Sequence, residues 1–112
     1  IVEKTISAYK LWHSYLPHIK KESRFTLGEK IDGRFTELID SLLVTRYAQK
    51  TRKLLEAKKA SELLDSLKCF LKIAWEIRIL SDNKYLAVSA PLSETGKMLG
   101  GWKKQIEKEN SA

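Results

Sequence analysis

Six cationic side chains crowd between residues 46 and 59: Arg46, Lys50, Arg52, Lys53, Lys58 and Lys59, with Glu56 the one carboxylate among them. That segment carries net +5 of the formal +7 of a 112-residue chain in which 21 Lys and Arg face 14 Asp and Glu. Ammonium and guanidinium groups at this density suit one task above others. They neutralise phosphates and release the counterions condensed on a nucleic-acid backbone. Lys4, Lys103, Lys104 and Lys108 extend the positive surface if the fold brings both termini beside the segment. No RNP-like motif, zinc finger or helix-turn-helix accompanies these cations, so the contact expected is with backbone or shape rather than with base sequence.

Catalytic chemistry finds no comparable set. His13 and His18 are five residues apart, which separates them on a helix, and neither has a nucleophile or carboxylate at triad spacing. Carboxylates occur singly, without the Glu-x-x-His pairs of di-iron bundles. Cys69 stands alone as a small half-buried helix residue, so no disulfide framework or metal set is expected, and a reducing cytoplasm fits. Gly96-Lys97-Met98-Leu99-Gly100-Gly101 follows no strand, which argues against a phosphate-cradling loop and for close helix approach beside Trp102. The expectation is a protein that is not an enzyme and holds no cofactor or metal.

The elements that position the cations follow from periodicity. Residues 1–16 place Val2, Ile6, Tyr9, His13 and Leu16 on one helix face, and Pro17 ends that helix before a turn over 17–23. A second helix over 24–49 carries Leu27, Ile31, Phe35, Leu38, Leu42 and Leu43, with Ile39 beside them and Thr26 and Glu29 as a capping box. Gly28 and Gly33 in it point to close helix approach. A third helix, from 53 to about 80, shows Ala60, Leu63, Leu67, Phe70, Ala74 and Ile77, widened by Leu64 and Leu71; Thr51 is its candidate cap. Ser81-Asp82-Asn83 stops it and caps a fourth helix over 83–108 with Tyr85, Val88, Leu92, Thr95, Leu99, Trp102 and Ile106, kinked at Pro91. No strand alternation appears. With short connections, the fold class is all-α, an antiparallel up-down-up-down four-helix bundle forming a single domain over residues 1–112. No apolar run approaches the ~18 residues of a membrane span. The opening Ile1-Val2-Glu3-Lys4 is no signal peptide, and the absence of Met points to residues removed or unseen upstream.

The third helix has apolar residues to spare. Ile73, Trp75 and Ile79 lie off its main stripe, Trp75 and Ile79 on a row with Lys68 and Lys72. A bundle helix needs an apolar stripe only ~100° wide, so these three are candidates for an oligomer or partner interface, most simply with another copy of the chain.

Several stretches together carry a family likeness: Tyr9-Lys10-Leu11-Trp12, Leu16 through Ile31, Phe70-Leu71-Lys72-Ile73-Ala74-Trp75-Glu76-Ile77, and Met98 through Trp102. Their sum and order resemble the four-helix accessory variability determinant proteins of diversity-generating retroelements. The resemblance implies a non-catalytic partner of the retroelement reverse transcriptase. It also implies a positively charged, barrel-like homopentamer that binds the enzyme and RNA or DNA during mutagenic copying of a template RNA into cDNA. It assigns no chemical role to any residue; the six cations come from their clustering alone. Two other readings remain open: a protein-only helical interaction module, and a bundle of the kind encoded in ribosomal-RNA intervening sequences.

Overall fold

The computed structural model describes residues 1–111, and four long helices account for most of them. Helix α1 is Val2–Tyr15. Helix α2 covers residues 21–47: an α-turn at Lys21–Ser23, a widened π-turn at Arg24–Gly28 and regular α-helix over Glu29–Tyr47. Helix α3 is Lys50–Glu76 and α4 is Asp82–Ser111. Each packs against its chain neighbours, and α1 also closes on α4, giving a four-cornered rod of 51 × 22 × 20 Å. Side-chain pairs fix the antiparallel register: Arg46 with Glu3 between α2 and α1, Arg34 with Ser66 between α2 and α3, Lys103 with Ser61 between α4 and α3. The all-helical bundle is as the periodicity predicts.

The core stripes of α2 and α4 bury Ile31, Phe35, Leu38, Leu42, Val88, Leu92, Leu99 and Ile106 as expected, whereas Leu43, one residue past Leu42 and so turned off the face, is exposed. Each such aliphatic side chain contributes about 1.5–3 kcal/mol by leaving water. Helix α1 differs: it is rotated by about one residue. Val2, Thr5, Ala8 and Trp12 face the core, Ile6 and Tyr9 flank it, and His13 is exposed. Trp12 decides the rotation, because it is the largest apolar group on the helix. Its ring lies against Phe35 at a centroid distance of 6.4 Å, and its Nε1–H donates to Asp32 Oδ1 at 3.3 Å. Thr5 is tolerated inside because its hydroxyl bonds the Ile1 carbonyl at 2.9 Å and meets the Thr95 hydroxyl at 3.3 Å.

The turn between α1 and α2 is shorter than expected. Pro17 sits in a single 3-10 turn, Leu16–His18, after which Ile19 is buried and α2 starts at Lys21. The Thr26–Glu29 capping box is absent, since Thr26 lies inside the helix and its hydroxyl bonds back to the Glu22 carbonyl at 2.8 Å. Gly28 serves its own helix: a Cβ there would lie 3.2 Å from the Ser23 carbonyl oxygen across the π-turn. Gly33 approaches no other helix. Close approach occurs instead at Gly96, where a Cβ would meet Lys68 and Leu64 of α3 at 3.4 and 3.5 Å.

Helix α3 begins at Lys50 rather than 53 and ends at Glu76 rather than 80. Ala48 and Gln49 are extended and form the corner, so Thr51 is not a cap. At the far end the Ile79 amide bonds the Ala74 carbonyl (2.8 Å) and the Arg78 amide the Trp75 carbonyl (3.1 Å). That is a Schellman termination, whose C′ residue must be left-handed. Arg78 fills it at φ 67°. The chain reversal leaves Ile77 60% exposed, though periodicity places it in the core, and drives Leu80 inside in its stead. Arg78→Gly is expected to stabilise the fold by about 1 kcal/mol, because glycine occupies this region freely. An unchanged or lower urea midpoint would show that the exposed Arg78–Asp82 pair matters more than the backbone. Ser81 then caps α4, its hydroxyl accepting from the Lys84 amide at 3.3 Å.

Candidate nucleic-acid interface

The six cations fall on three adjoining pieces of structure. Arg46 is in the last turn of α2, Lys50, Arg52 and Lys53 are in the first turn of α3, and Lys58 and Lys59 follow two turns on. The two-residue corner at Ala48–Gln49 folds the first piece against the others. The first turn of α3 contains no carboxylate, and Gln49 offers it no side-chain cap. The positive end of the helix dipole therefore adds to the side-chain charge rather than being offset by it.

The cations are not equivalent. Arg46 faces Glu3 at 3.4 Å. The Tyr47 side chain, chiefly, with the Glu3 carboxylate behind it, holds the Arg46 guanidinium above its ordinary value despite some desolvation. Arg52 and Lys59 both lie 3.8 Å from Glu56, a carboxylate only 7% exposed on the inner side of α3. Lys50, Lys53 and Lys58 have no carboxylate within ion-pair distance among the described residues, and Lys50 and Lys58 are exposed. Lys4, expected to extend the positive surface, is spent on Glu94 of α4. Lys103, Lys104 and Lys108 do extend it. They lie on the last turns of α4, which the Lys103–Ser61 bond at 3.4 Å holds alongside the first half of α3.

Glu56 makes Arg52 and Lys59 structural as well as electrostatic. Reversing both to Glu would crowd two carboxylates around a buried one, at a cost of about 2 kcal/mol. Thermal melts should show that loss, and adding Glu56→Gln should recover most of it. Recovery of nothing would mean that the pair stabilises by some other contact.

The chain matches the family model described as bAvd-like over residues 1–106. It belongs to the bAvd-like family. No curated protein and no solved structure matches it. Membership makes it an accessory protein of the kind found with diversity-generating retroelements, and the bAvd-like match covers the first three helices, most of α4 and all six cations from Arg46 to Lys59.

The bAvd-like bundle handles its surplus apolar residues unevenly. Trp75 is half-buried. It stacks on Tyr85 at 4.9 Å with 8° between the rings, and its Nε1–H donates to Asp82 Oδ1 at 2.7 Å, clasping the start of α4. Ile79 packs partly against the core, as the apolar residue following a Schellman turn commonly does. Of the three, Ile73 alone is exposed, and the uncovered apolar surface at that end adds Ile77, Leu86 and Phe25. Cys69 is exposed rather than half-buried. His13 and His18 remain apart on the surface of α1 and its terminal turn. Among the described residues no group of three His, Cys, Asp or Glu gathers as a metal set, and no helix is long and apolar enough to cross a membrane.

Sequence reasoning passed over one part of this corner. Val44, Tyr47, Ala48, Gln49, Arg52 and Glu56 line a groove of about 490 Å³ between α2 and α3, and Tyr47 is 78% exposed on its rim. The signal was present as a tyrosine beside Arg46, but an isolated aromatic reads as core until the helix end exposes it.

Proposed function

We propose that this chain is a non-catalytic adaptor of a diversity-generating retroelement, holding the reverse transcriptase together with its template RNA or cDNA through the basic corner. The observation that carries the reading is the set of unpaired lysines around the α2–α3 corner and the end of α4, in a chain of the bAvd-like family. The adaptor supplies no reacting group. It contributes a concentrated positive field, in which phosphates exchange mobile counterions for fixed lysines. The test is co-expression with a retroelement reverse transcriptase: the two should co-elute, and template RNA should join them in a salt-sensitive manner. Elution of the enzyme alone would remove the adaptor reading.

Self-association into a homo-oligomer, pentameric in the resemblance above, belongs to the same proposal. Gly100 and Gly101 support it, since a Cβ at either would meet nothing within 4 Å in the chain itself. In a lone bundle Gly100→Ala with Gly101→Ala should add about 1–2 kcal/mol through helix propensity. If a second copy packs on this face, the same methyls should instead lower the melting temperature and the mass seen by light scattering. Exposed Ile73, Ile77 and Leu86 favour a second reading, a protein-only interaction module whose lysines serve solubility. RNA binding absent at 50 mM salt would favour that module.

A further inference from the structure

We infer that Tyr47 is a stacking platform for an unpaired base, so that the basic corner takes single-stranded RNA or DNA in preference to duplex. The inference rests on the nucleic-acid reading above and adds to it the strand state of the ligand. Of the four tyrosines, three are held within the bundle: Tyr9 lies against Phe35 at 5.5 Å, Tyr85 on Trp75 at 4.9 Å, and Tyr15 beneath the Lys84 ammonium at 5.1 Å. Tyr47 stacks on no aromatic ring among the described residues and is the most exposed of the large apolar side chains. It stands where the chain is most positive, between Arg46 in its own helix and Arg52 across the groove.

The groove beside it supplies what a nucleotide needs. Val44 and Ala48 offer an apolar wall, and Gln49 can both donate and accept hydrogen bonds. Glu56, the single carboxylate lining the groove, faces Arg52 and Lys59 rather than repelling an incoming phosphate unopposed. Lys50 follows Gln49 directly and stands free for the backbone on either side of a stacked base. An aromatic face flanked by cations is the arrangement by which single strands are held, because every base presents a π-face and the phosphates follow the charge. A duplex keeps its bases stacked internally and leaves the ring without a partner.

The test uses the intact protein and two labelled probes: a twelve-nucleotide single strand carrying 2-aminopurine, and a perfectly paired RNA duplex of equal length. Tyr47→Ala should weaken single-strand binding about tenfold with the salt slope unchanged, leave duplex affinity unaltered and abolish the quenching of 2-aminopurine. Tyr47→Trp should restore all three. Equal losses for both probes, or none for the single strand while lysine reversal still weakens it, would overturn the stacking inference and leave the basic interface standing. A fall in oligomer mass on Tyr47→Ala would overturn it too, placing the ring in a protein contact. Failure of the wild-type chain to bind either probe at 50 mM salt would overturn both.

Discussion

Reversal of Lys50, Lys58, Lys104 and Lys108 to Glu should lower affinity for a structured RNA about a hundredfold or more at 100 mM salt. The slope of log K against log salt should become shallower by about four, one for each phosphate contact removed. These four are chosen because none of them has a carboxylate within ion-pair distance among the described residues. Their replacement is expected to leave the fold within about 1 kcal/mol of wild type, as exposed surface changes usually do. The same experiment on Arg52 and Lys59 would confound binding with folding, because both also neutralise buried Glu56. Anisotropy titrations paired with thermal melts separate the two effects. Undiminished binding by the fourfold variant would place the interface elsewhere on the bundle.

Trp12→Ala should destabilise the bundle by about 3–5 kcal/mol, the cost of removing a large aromatic from a core that can only partly collapse. Trp12 is wholly buried, lies against Phe35 and donates to Asp32, so the substitution opens a void and leaves Asp32 without that donor. For a chain of this size the melting temperature should fall by more than about ten degrees. Trp12→Phe should recover part of the loss by refilling the space without the hydrogen bond. His13→Ala on the next position should be nearly silent, since that side chain is in solvent. A large effect at His13 with a small one at Trp12 would contradict the rotation of α1.

The contrast between those neighbouring positions shows where periodicity informs and where it fails. In α2 and α4 the apolar residues keep a regular four-three spacing, and a helix has then one way to bury them. In α1 two overlapping stripes compete, and the choice rests on the volume of Trp12 and on Thr5 finding partners in Ile1 and Thr95. Both are tertiary facts. The ends of α3 escaped the pattern for another reason. The corner at Ala48–Gln49 has neither Gly nor Pro, and the left-handed turn after α3 is occupied by Arg78, so neither end bears the residue that ordinarily marks it. The basic segment itself was legible as charge. Which of its members are spent was not, because Lys4–Glu94 and Arg46–Glu3 join residues on different helices, and the burial of Glu56 beside Arg52 and Lys59 depends on how α3 is rotated.

The most direct test of the central claim is a salt series on the unmodified protein with a structured template RNA, read by anisotropy from 50 to 300 mM. Six lysines around the corner and the end of α4 lack a carboxylate partner among the described residues: Lys50, Lys53, Lys58, Lys103, Lys104 and Lys108. The account predicts tight binding at the lowest salt and a log–log slope of about −4 or steeper. A slope near zero, or no binding at 50 mM, would contradict it.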